Sequence, residues 1–144
     1  MKPIRTILLV LCVLLTATTA SAQTRGWGLG ASIFDGDFGV QVRKDFWLGG
    51  DISQITGQGS VFFPSKTTFR IDVDYHFILN PEGPGRFYPL AGIDFAFNSD
   101  HAKFGLNLGG GANFMLTEKT AAFGEAKFVI GDWDGFVFTL GIYI

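Results

Sequence analysis

The amino-acid sequence predicts an all-β fold, an eight-stranded antiparallel up-and-down barrel, and three observations lead to this prediction. Apolar and polar residues alternate along most of the chain, as they do when successive side chains point to opposite faces of a strand. Eight alternating segments are separated by short turn sequences rich in glycine, proline, asparagine and aspartate. No connection is long enough for a parallel crossover, and eight strands are enough to close a barrel without edges.

The first two strands flank a tight turn, whereas the third strand is less well defined. Residues 27–33 and 38–43 alternate on either side of Asp35-Gly36, a dipeptide typical of two-residue hairpin turns. The third strand is predicted over residues 48–56, where two adjacent glycines blur the alternation. Residues 57–67 are then predicted to form a loop.

The fourth strand, residues 69–79, has the clearest alternation. One face is wholly apolar, and it consists of Phe69, Ile71, Val73, Tyr75, Phe77 and Leu79. The other face is charged apart from one isoleucine, and it consists of Arg70, Asp72, Asp74, His76 and Ile78. The whole sheet is therefore expected to have one apolar face and one polar face.

Four further strands follow a turn at residues 80–85. Each repeats the alternation, and they are predicted over residues 87–97, 104–116, 122–130 and 136–144. Gly109-Gly110-Gly111 lies within the sixth strand and opens no helix, so it is not a phosphate-binding loop. Close backbone packing or a bulge is expected at these glycines.

The first 22 residues have the features of a secretory signal peptide. Lys2 and Arg5 form a basic start, residues 7–15 are an apolar run, and Ala20-Ser21-Ala22 is a small-residue cleavage site. The apolar run is shorter than the roughly 20 residues that a membrane-spanning helix needs. The sequence thus predicts export, with a signal peptide over residues 1–22 and one β-barrel domain over residues 23–144.

Two features favour a barrel with lipid outside and a polar interior. The apolar face carries most of the 16 phenylalanines, too many for the narrow interior of an eight-stranded barrel. Aromatic residues are also expected to form two belts, because the two interfaces of a bilayer favour aromatic side chains. The predicted belts hold Phe34, Phe38, Phe69, Phe95, Phe97, Phe104 and Phe136 near the outer rim, and Trp27, Phe46, Trp47, Phe77, Phe87, Phe114 and Tyr143 near the inner rim. The predicted fold class is therefore an eight-stranded antiparallel up-and-down transmembrane β-barrel.

The last third of the chain resembles a known family. Residues 121–132, A-A-F-G-E-A-K-F-V-I-G-D, and residues 136–144, F-V-F-T-L-G-I-Y-I, look like the end of the small outer-membrane β-barrel domains of the OmpA/OmpX and opacity-protein type, a porin-family barrel. Residues 88–93, Y-P-L-A-G-I, are similar to the fifth strand of these domains. The resemblance implies the outer membrane of a diderm bacterium, contact with outer-membrane lipid, and insertion by the barrel-assembly machinery. Such families usually end in phenylalanine, where this chain has Ile144.

The composition argues against several kinds of partner and cofactor. The chain has 11 lysines and arginines against 13 aspartates and glutamates, a net charge of −2, so no nucleic-acid partner is expected. Two isolated histidines, and a single cysteine inside the predicted signal peptide, give no metal-ligand spacing. No cofactor is expected, and the sequence identifies no protein partner.

The polar face is expected to line the interior, where charged side chains must pair because burying an unpaired charge is costly. The predicted interior network consists of Arg43, Asp51, Arg70, Asp72, Asp74, His76, Asp94, Glu125 and Lys127. These residues also allow a proton relay or an ion path, but a paired structural network is the simpler interpretation.

Two predicted outer loops carry further candidate residues. Ser99, Asp100 and His101 suggest an esterase or an acyltransferase, but adjacent loop residues cannot easily form a catalytic triad, which depends on geometry. Val61, Phe62 and Phe63, in the predicted loop 57–67, are candidates for anchoring at the bilayer rim or for contact with a partner.

The sequence as a whole predicts an integral outer-membrane protein with a structural or envelope-interaction role, an interior filled by side chains, and no enzymatic activity. One alternative is a secreted soluble barrel of the lipocalin type that binds a small apolar ligand. The other is an outer-membrane enzyme that modifies lipid. A lipid A deacylase barrel is expected to have a histidine and a serine two residues apart, whereas Ile78 follows His76 at that spacing and Lys103 follows His101.

Overall fold

The computed structural model describes residues 26–144, which form a closed barrel of eight antiparallel strands. The strands are β1 (Trp27–Phe34), β2 (Asp37–Trp47), β3 (Ser53–Phe62), β4 (Thr68–Phe77), β5 (Gly85–Phe97), β6 (Ala102–Met115), β7 (Ala121–Gly131) and β8 (Gly135–Tyr143). No helix in the described part of the chain is long and apolar enough to cross a membrane. The predicted eight-stranded up-and-down barrel is confirmed, whereas the predicted signal peptide at residues 1–22 lies outside the described residues.

The seam between β1 and β8 closes the barrel. Its pairing runs from Gly28 opposite Tyr143 to Phe34 opposite Val137. In the interior, the hydroxyl oxygens of Ser32 and Thr139 lie 2.9 Å apart across the seam. Because every strand has two partners, the barrel has no free sheet edge within residues 26–144.

The connections between strands are short at both ends of the barrel. We call the end with the β1–β2, β3–β4, β5–β6 and β7–β8 connections the hairpin end, and the opposite end the terminal end. Asp35 and Gly36 join β1 to β2 with φ values of 47° and 98°, and a type I′ turn requires positive φ at both central residues. The tight turn predicted from this dipeptide is therefore confirmed.

The two faces of the sheet differ as the fourth strand predicts. Along β4, Phe69, Val73 and Phe77 point outward and are more than 40% exposed, whereas Arg70 and Asp74 are buried in the interior. The other strands repeat this arrangement, with large apolar side chains outside and mostly polar ones inside. The outer surface of the barrel is thus apolar, whereas the surface of a soluble protein is usually polar.

The third strand differs from its prediction. The chain turns at residues 48–52 and β3 runs from Ser53 to Phe62, so the predicted loop 57–67 shrinks to residues 63–67. The bounds of the strand were misplaced because its interior residues are uncharged and its outward positions include two glycines, which carry no side chain to mark a face. The interior residues of β3 are Gln54, Thr56, Gln58, Ser60 and Phe62.

Aromatic rings on the outer face pair across neighbouring strands near both ends. At the hairpin end the pairs are Phe69–Phe97, Phe95–Phe104 and Phe128–Phe136, with ring centres 5.9, 5.1 and 5.1 Å apart. At the terminal end, the rings of Phe87 and Phe114 lie 5.9 Å apart in an edge-to-face arrangement. Phe34, Trp47 and Tyr143, predicted for the belts, instead pack in interior clusters, because each occupies an inward position of its strand.

Glycines in the interior leave room for aromatic rings. Gly111 of β6 pairs with Tyr88 of β5, and a Cβ at Gly111 would lie 2.6 Å from the Tyr88 hydroxyl oxygen and 2.8 Å from the carbonyl oxygen of Gly124. The pairing of β6 with both neighbours runs unbroken through Gly109, Gly110 and Gly111. Close packing rather than a bulge therefore explains these glycines.

Gly111→Ala is expected to destabilise the barrel by about 1–3 kcal/mol, the usual cost of overpacking, because the added methyl group meets Tyr88 and the backbone of β7. Gly59→Ala is the matched control, since nothing lies within 4 Å of a Cβ at that outward strand position. Urea unfolding in detergent micelles measures both variants. Equal stability of the two variants would contradict the packing described here.

Candidate functional site

Eight of the nine residues predicted for the interior network lie inside the barrel. Arg43, Arg70, Asp72, Asp74, His76, Asp94, Glu125 and Lys127 are each at most 3% exposed. Asp51 was predicted wrongly, because it lies in the exposed turn between β2 and β3 rather than in a strand. The alternation assigned the strand residues to the correct face. The third strand was predicted to begin at residue 48, so the turn residue Asp51 was wrongly included in the network.

Arg70 and Lys127 organise the part of the network nearer the hairpin end. Arg70 Nη2 donates to Asp72 Oδ1 at 3.1 Å and also to Asp94 Oδ2. Lys127 Nζ donates to Asp74 Oδ2 at 2.8 Å and to Asp72 Oδ1 at 3.3 Å. Asp72 therefore lies between the two cations and connects them.

Neutral amides complete the coordination of the two β4 carboxylates. Asn107 Nδ2 donates to Asp72 Oδ1 at 2.9 Å and to Asp74 Oδ1 at 2.8 Å. Gln58 Nε2 donates to Asp74 Oδ2 at 2.8 Å. The network thus spans β3 to β7, and its hydrogen bonds connect strands that are distant in the sequence.

Glu125 is the centre of the part of the network nearer the terminal end. Its Oε2 accepts hydrogen bonds from Arg43 Nη2 at 3.0 Å and from the Tyr88 hydroxyl at 3.1 Å. His76 Nε2 lies 3.8 Å from the same oxygen, and Lys127 Nζ lies 3.9 Å from Oε1. Lys127 therefore lies between Glu125 and the carboxylates of β4.

Asp45 also belongs to the network, although it is not among the residues predicted for it. It is fully buried, accepts a hydrogen bond from Thr56 Oγ1 at 2.8 Å, and lies 3.9 Å from Arg43 Nε. Its signal was present in the sequence, because Asp45 follows Arg43 by two residues and so shares its face. The prediction ended the second strand at residue 43, whereas β2 continues to Trp47.

The interior of the described chain holds more carboxylates than basic groups. Arg43, Arg70 and Lys127 face five buried carboxylates, those of Asp45, Asp72, Asp74, Asp94 and Glu125. Each basic side chain lies within ion-pair distance of at least two carboxylates. Sharing of this kind allows three basic side chains to connect β2, β4, β5 and β7 from within.

Aromatic and apolar side chains cover the network at both ends. At the hairpin end, Phe62, Val129 and Val137 are buried against Phe34 and Trp133, and the Arg70 guanidinium carbon lies 4.7 Å from the centre of the Trp133 ring. At the terminal end, the Arg43 guanidinium carbon lies 4.5 Å from the centre of the Phe123 ring. The two arginines thus stack on rings while they bind carboxylates.

The two histidines lie in different parts of the barrel. His76 is stacked on Tyr88 in the interior, with ring centres 4.3 Å apart, whereas His101 lies exposed in the β5–β6 connection. Within residues 26–144, no group of three or more His, Cys, Asp or Glu side chains has the geometry to hold a metal ion.

The three residues predicted to form a loop contact are separated by the structure. Val61 and Phe62 belong to β3, and Phe62 is 3% exposed because its ring points into the interior cluster at the hairpin end. Phe63 alone lies in the connection and is exposed. The prediction of a continuous apolar loop patch was wrong, because it rested on the misplaced end of the third strand.

An exposed ion pair links two connections at the hairpin end. The Lys66 ammonium in the β3–β4 connection donates a hydrogen bond to the Asp100 carboxylate in the β5–β6 connection. This hydrogen bond lowers the pKa of Asp100, aided by Ser99 and His101 and opposed by slight desolvation. The ion pair therefore forms above that lowered pKa and is lost as the pH falls through it.

Lys66→Ala is expected to raise the pKa of Asp100 towards its usual value, because the main group that stabilises the carboxylate is removed. Carboxyl carbon NMR titration of the barrel in detergent micelles measures this change. Lys103→Ala removes a nearby exposed cation of the same end and serves as control. An unchanged Asp100 titration in Lys66→Ala would contradict the ion pair.

Arg43→Met is expected to destabilise the barrel by about 3 kcal/mol, the lower part of the range for breaking a buried ion pair, because Lys127 remains near Glu125. Combining it with Glu125→Gln should recover part of that loss, since residue 125 then carries no charge, while Asp45 still lacks its Arg43 partner. Urea unfolding of the single and double variants in micelles measures the coupling. A double variant no more stable than Arg43→Met would contradict the pairing.

No protein-family model and no curated protein sequence matches the chain. Solved structures match it in fold. The N-terminal β-barrel domain of Pseudomonas aeruginosa OprF is similar with a TM-score of 0.68 and 16% identity, over 84% of this chain and 98% of that chain. Neisserial surface protein A has a TM-score of 0.65 and 12% identity, over 85% and 98%. The outer membrane enzyme PagL has a TM-score of 0.50 and 10% identity, over 81% and 95%. The chain therefore has the fold of the small outer-membrane β-barrels.

Proposed function

We propose that this chain is an integral outer-membrane protein of a diderm bacterium, with a structural or envelope-interaction role and no chemistry of its own. The observation that carries the proposal is the inverted polarity of the barrel. Its charged residues are buried in the interior, while its phenylalanines, leucines and isoleucines are exposed outside. An apolar outer surface around a closed sheet suits a lipid bilayer, because lipid cannot bond to unpaired backbone groups.

The aromatic pairs near the two ends support this proposal. Phe69–Phe97 and Phe95–Phe104 at the hairpin end and Phe87–Phe114 at the terminal end lie where the two interfaces of a bilayer would be. The partners we infer are outer-membrane lipid and, during insertion, the barrel-assembly machinery. A signal peptide over residues 1–22 would deliver the chain to that machinery.

A soluble barrel of the lipocalin type is the weaker alternative. Such a barrel needs an apolar cavity for its ligand and a polar exterior. Here the middle of the interior is occupied by Arg70, Asp72, Asp74 and Lys127, which are hydrogen-bonded to one another. This arrangement gives an apolar ligand unsuitable, charged surroundings.

An enzymatic role is a second alternative with less support than a structural role, although the fold is shared with the enzyme PagL. His76 is enclosed in the interior beside Glu125, and His101 lies in a loop whose neighbouring Asp100 is bonded to Lys66. Neither histidine is hydrogen-bonded to a serine in the described chain, and the Thr56 hydroxyl, 3.4 Å from His76 Nδ1, donates its hydrogen bond to Asp45 instead. We therefore propose that the protein has no catalytic activity.

The proposed location is tested by membrane fractionation and by comparing boiled with unboiled samples on a gel, since a closed barrel resists detergent until heated. Wild type and Asp72→Asn are expected in the outer-membrane fraction with a heat-sensitive band. Val73→Arg is expected to lose that band, because an outward arginine near the bilayer midplane costs about 2–4 kcal/mol. Asp72→Asn is tolerated because the interior carboxylates exceed the cations.

Two results would contradict the proposed location. A wild-type chain that stays soluble without detergent would favour the secreted barrel instead. A Val73→Arg variant that folds like wild type while Asp72→Asn fails would mean that the two faces are assigned the wrong way round.

The barrel is expected not to conduct ions, because an eight-stranded interior is only wide enough for side chains and the shared ion pairs occupy it. Planar-bilayer recordings of wild type should therefore have no steady single-channel steps. Small openings are expected in Arg70→Ala or Glu125→Ala, and Lys119→Ala, in the exposed β6–β7 connection, is the silent control. Large, steady single-channel current steps from the wild type would contradict an interior filled by side chains.

A further inference from the structure

The β7–β8 connection, residues 132–134, carries an aromatic ring into the mouth of the barrel at the hairpin end. The centre of the Trp133 ring lies 4.6 Å from that of the Phe34 ring and 4.7 Å from the Arg70 guanidinium carbon. Gly105 of β6 lies beside the indole, since a Cβ there would be 3.6 Å from Trp133 Nε1. The residues on either side of Trp133 are exposed. The ring therefore separates the ion pairs of Arg70 from the solution at this end.

Glycines flank the connection on both sides. Gly131 has a φ of 155°, which favours glycine, and a Cβ there would lie 2.6 Å from the carbonyl oxygen of Phe104. A Cβ at Gly135 would overlap the ring of Phe34. Hinges are a few residues at the ends of elements that absorb changes of φ and ψ, and glycine has the widest choice of both angles. Gly131 and Gly135 are therefore suitable hinges for residues 132–134.

Asp132 fastens the connection to β6. Its amide N–H donates to the carbonyl oxygen of Phe104 at 3.0 Å, and the amide N–H of Phe104 donates to Asp132 Oδ2 at 3.1 Å. Asp134 Oδ1 accepts a hydrogen bond from the amide N–H of Gly131 at 2.8 Å, which lies within the same segment of chain. The Asp132 carboxylate therefore acts as a latch between the connection and β6.

The closed position of the ring leaves a polar group of the connection unsatisfied. Trp133 Nε1 is buried and has no hydrogen-bond acceptor among the described residues. A buried N–H without an acceptor loses its bonds to water, and outward movement of the ring would restore them. Stacking on Phe34 and Arg70 opposes that movement. These opposing contributions favour a closed position that can open.

We propose that residues 132–134 form a lid, hinged at its flanking glycines, that closes the interior at the hairpin end and opens to expose Arg70. In the closed position Trp133 covers the guanidinium and its ion pairs. In the open position they face the solution. Arg43, at the other end of the network, stays covered by Phe123 of β7 in both positions. The lid controls access to the interior and does not depend on what surrounds the barrel.

The test is modification of arginines by phenylglyoxal, a small neutral reagent, in detergent micelles, with the modified residues identified by mass spectrometry. Trp133→Ala is expected to raise the rate at Arg70 about tenfold, because the stacking that favours closure is lost. Asp132→Ala is expected to raise it about fivefold, because one hydrogen bond of the latch is lost. Trp133→Phe keeps a ring and should remain close to wild type. Asp37→Ala is the matched control, since Asp37 lies at the same end at the start of β2.

An unchanged rate at Arg70 in Trp133→Ala would overturn the lid. A rise in Trp133→Ala without one in Asp132→Ala would mean that Trp133 is a fixed plug, which also contradicts a lid. Equal rises at Arg43 and Arg70 would mean that the whole barrel loosens, and would contradict a local opening. If Trp133→Ala fails to give the heat-sensitive gel band of a folded barrel, Asp132→Ala decides the question, since it keeps the ring.

Discussion

Closure of the sheet between β1 and β8 is the constraint on which the rest of the structure depends. Once the last strand pairs with the first, each strand residue points either into the interior or away from it. Eight strands enclose a space only wide enough for side chains, so the residues that point inward must satisfy one another. The buried charges, the glycines that face aromatic rings and the apolar outer surface all follow from this division.

The interior is arranged in layers along the barrel axis. Carboxylates and basic groups occupy the middle, and rings cover them towards the hairpin end and towards the terminal end. Arg70 and Arg43 belong to both kinds of layer, because each guanidinium binds carboxylates while it stacks on aromatic rings. This double role explains how long cationic side chains can be fully buried: their planar faces need apolar contact and their edges need acceptors.

The alternation in the sequence predicted most strands and the face of most interior residues. Successive side chains of a strand point to opposite faces whatever the strand pairs with, so the sequence of one strand is enough to reveal its two faces. It failed in β3, where the glycines at 57 and 59 carry no side chain and the inward residues are uncharged. That error misplaced Asp51, Val61 and Phe62. The actual pairings were beyond prediction, since Arg43 and Glu125 are 82 residues apart and meet only because of how the strands are staggered around the barrel.

The sharing of each basic group among several carboxylates has a consequence for how such a sequence can change over time. When one acid is lost, its cation keeps another partner, so single substitutions inside the barrel need not be matched by a simultaneous second change. The outer surface is equally permissive, since any large apolar residue satisfies the same position. Selection then preserves a class of residue rather than an identity. A barrel of this design can keep its fold although few residues are kept, and this chain shares its fold with the N-terminal barrel domain of OprF at 16% identity.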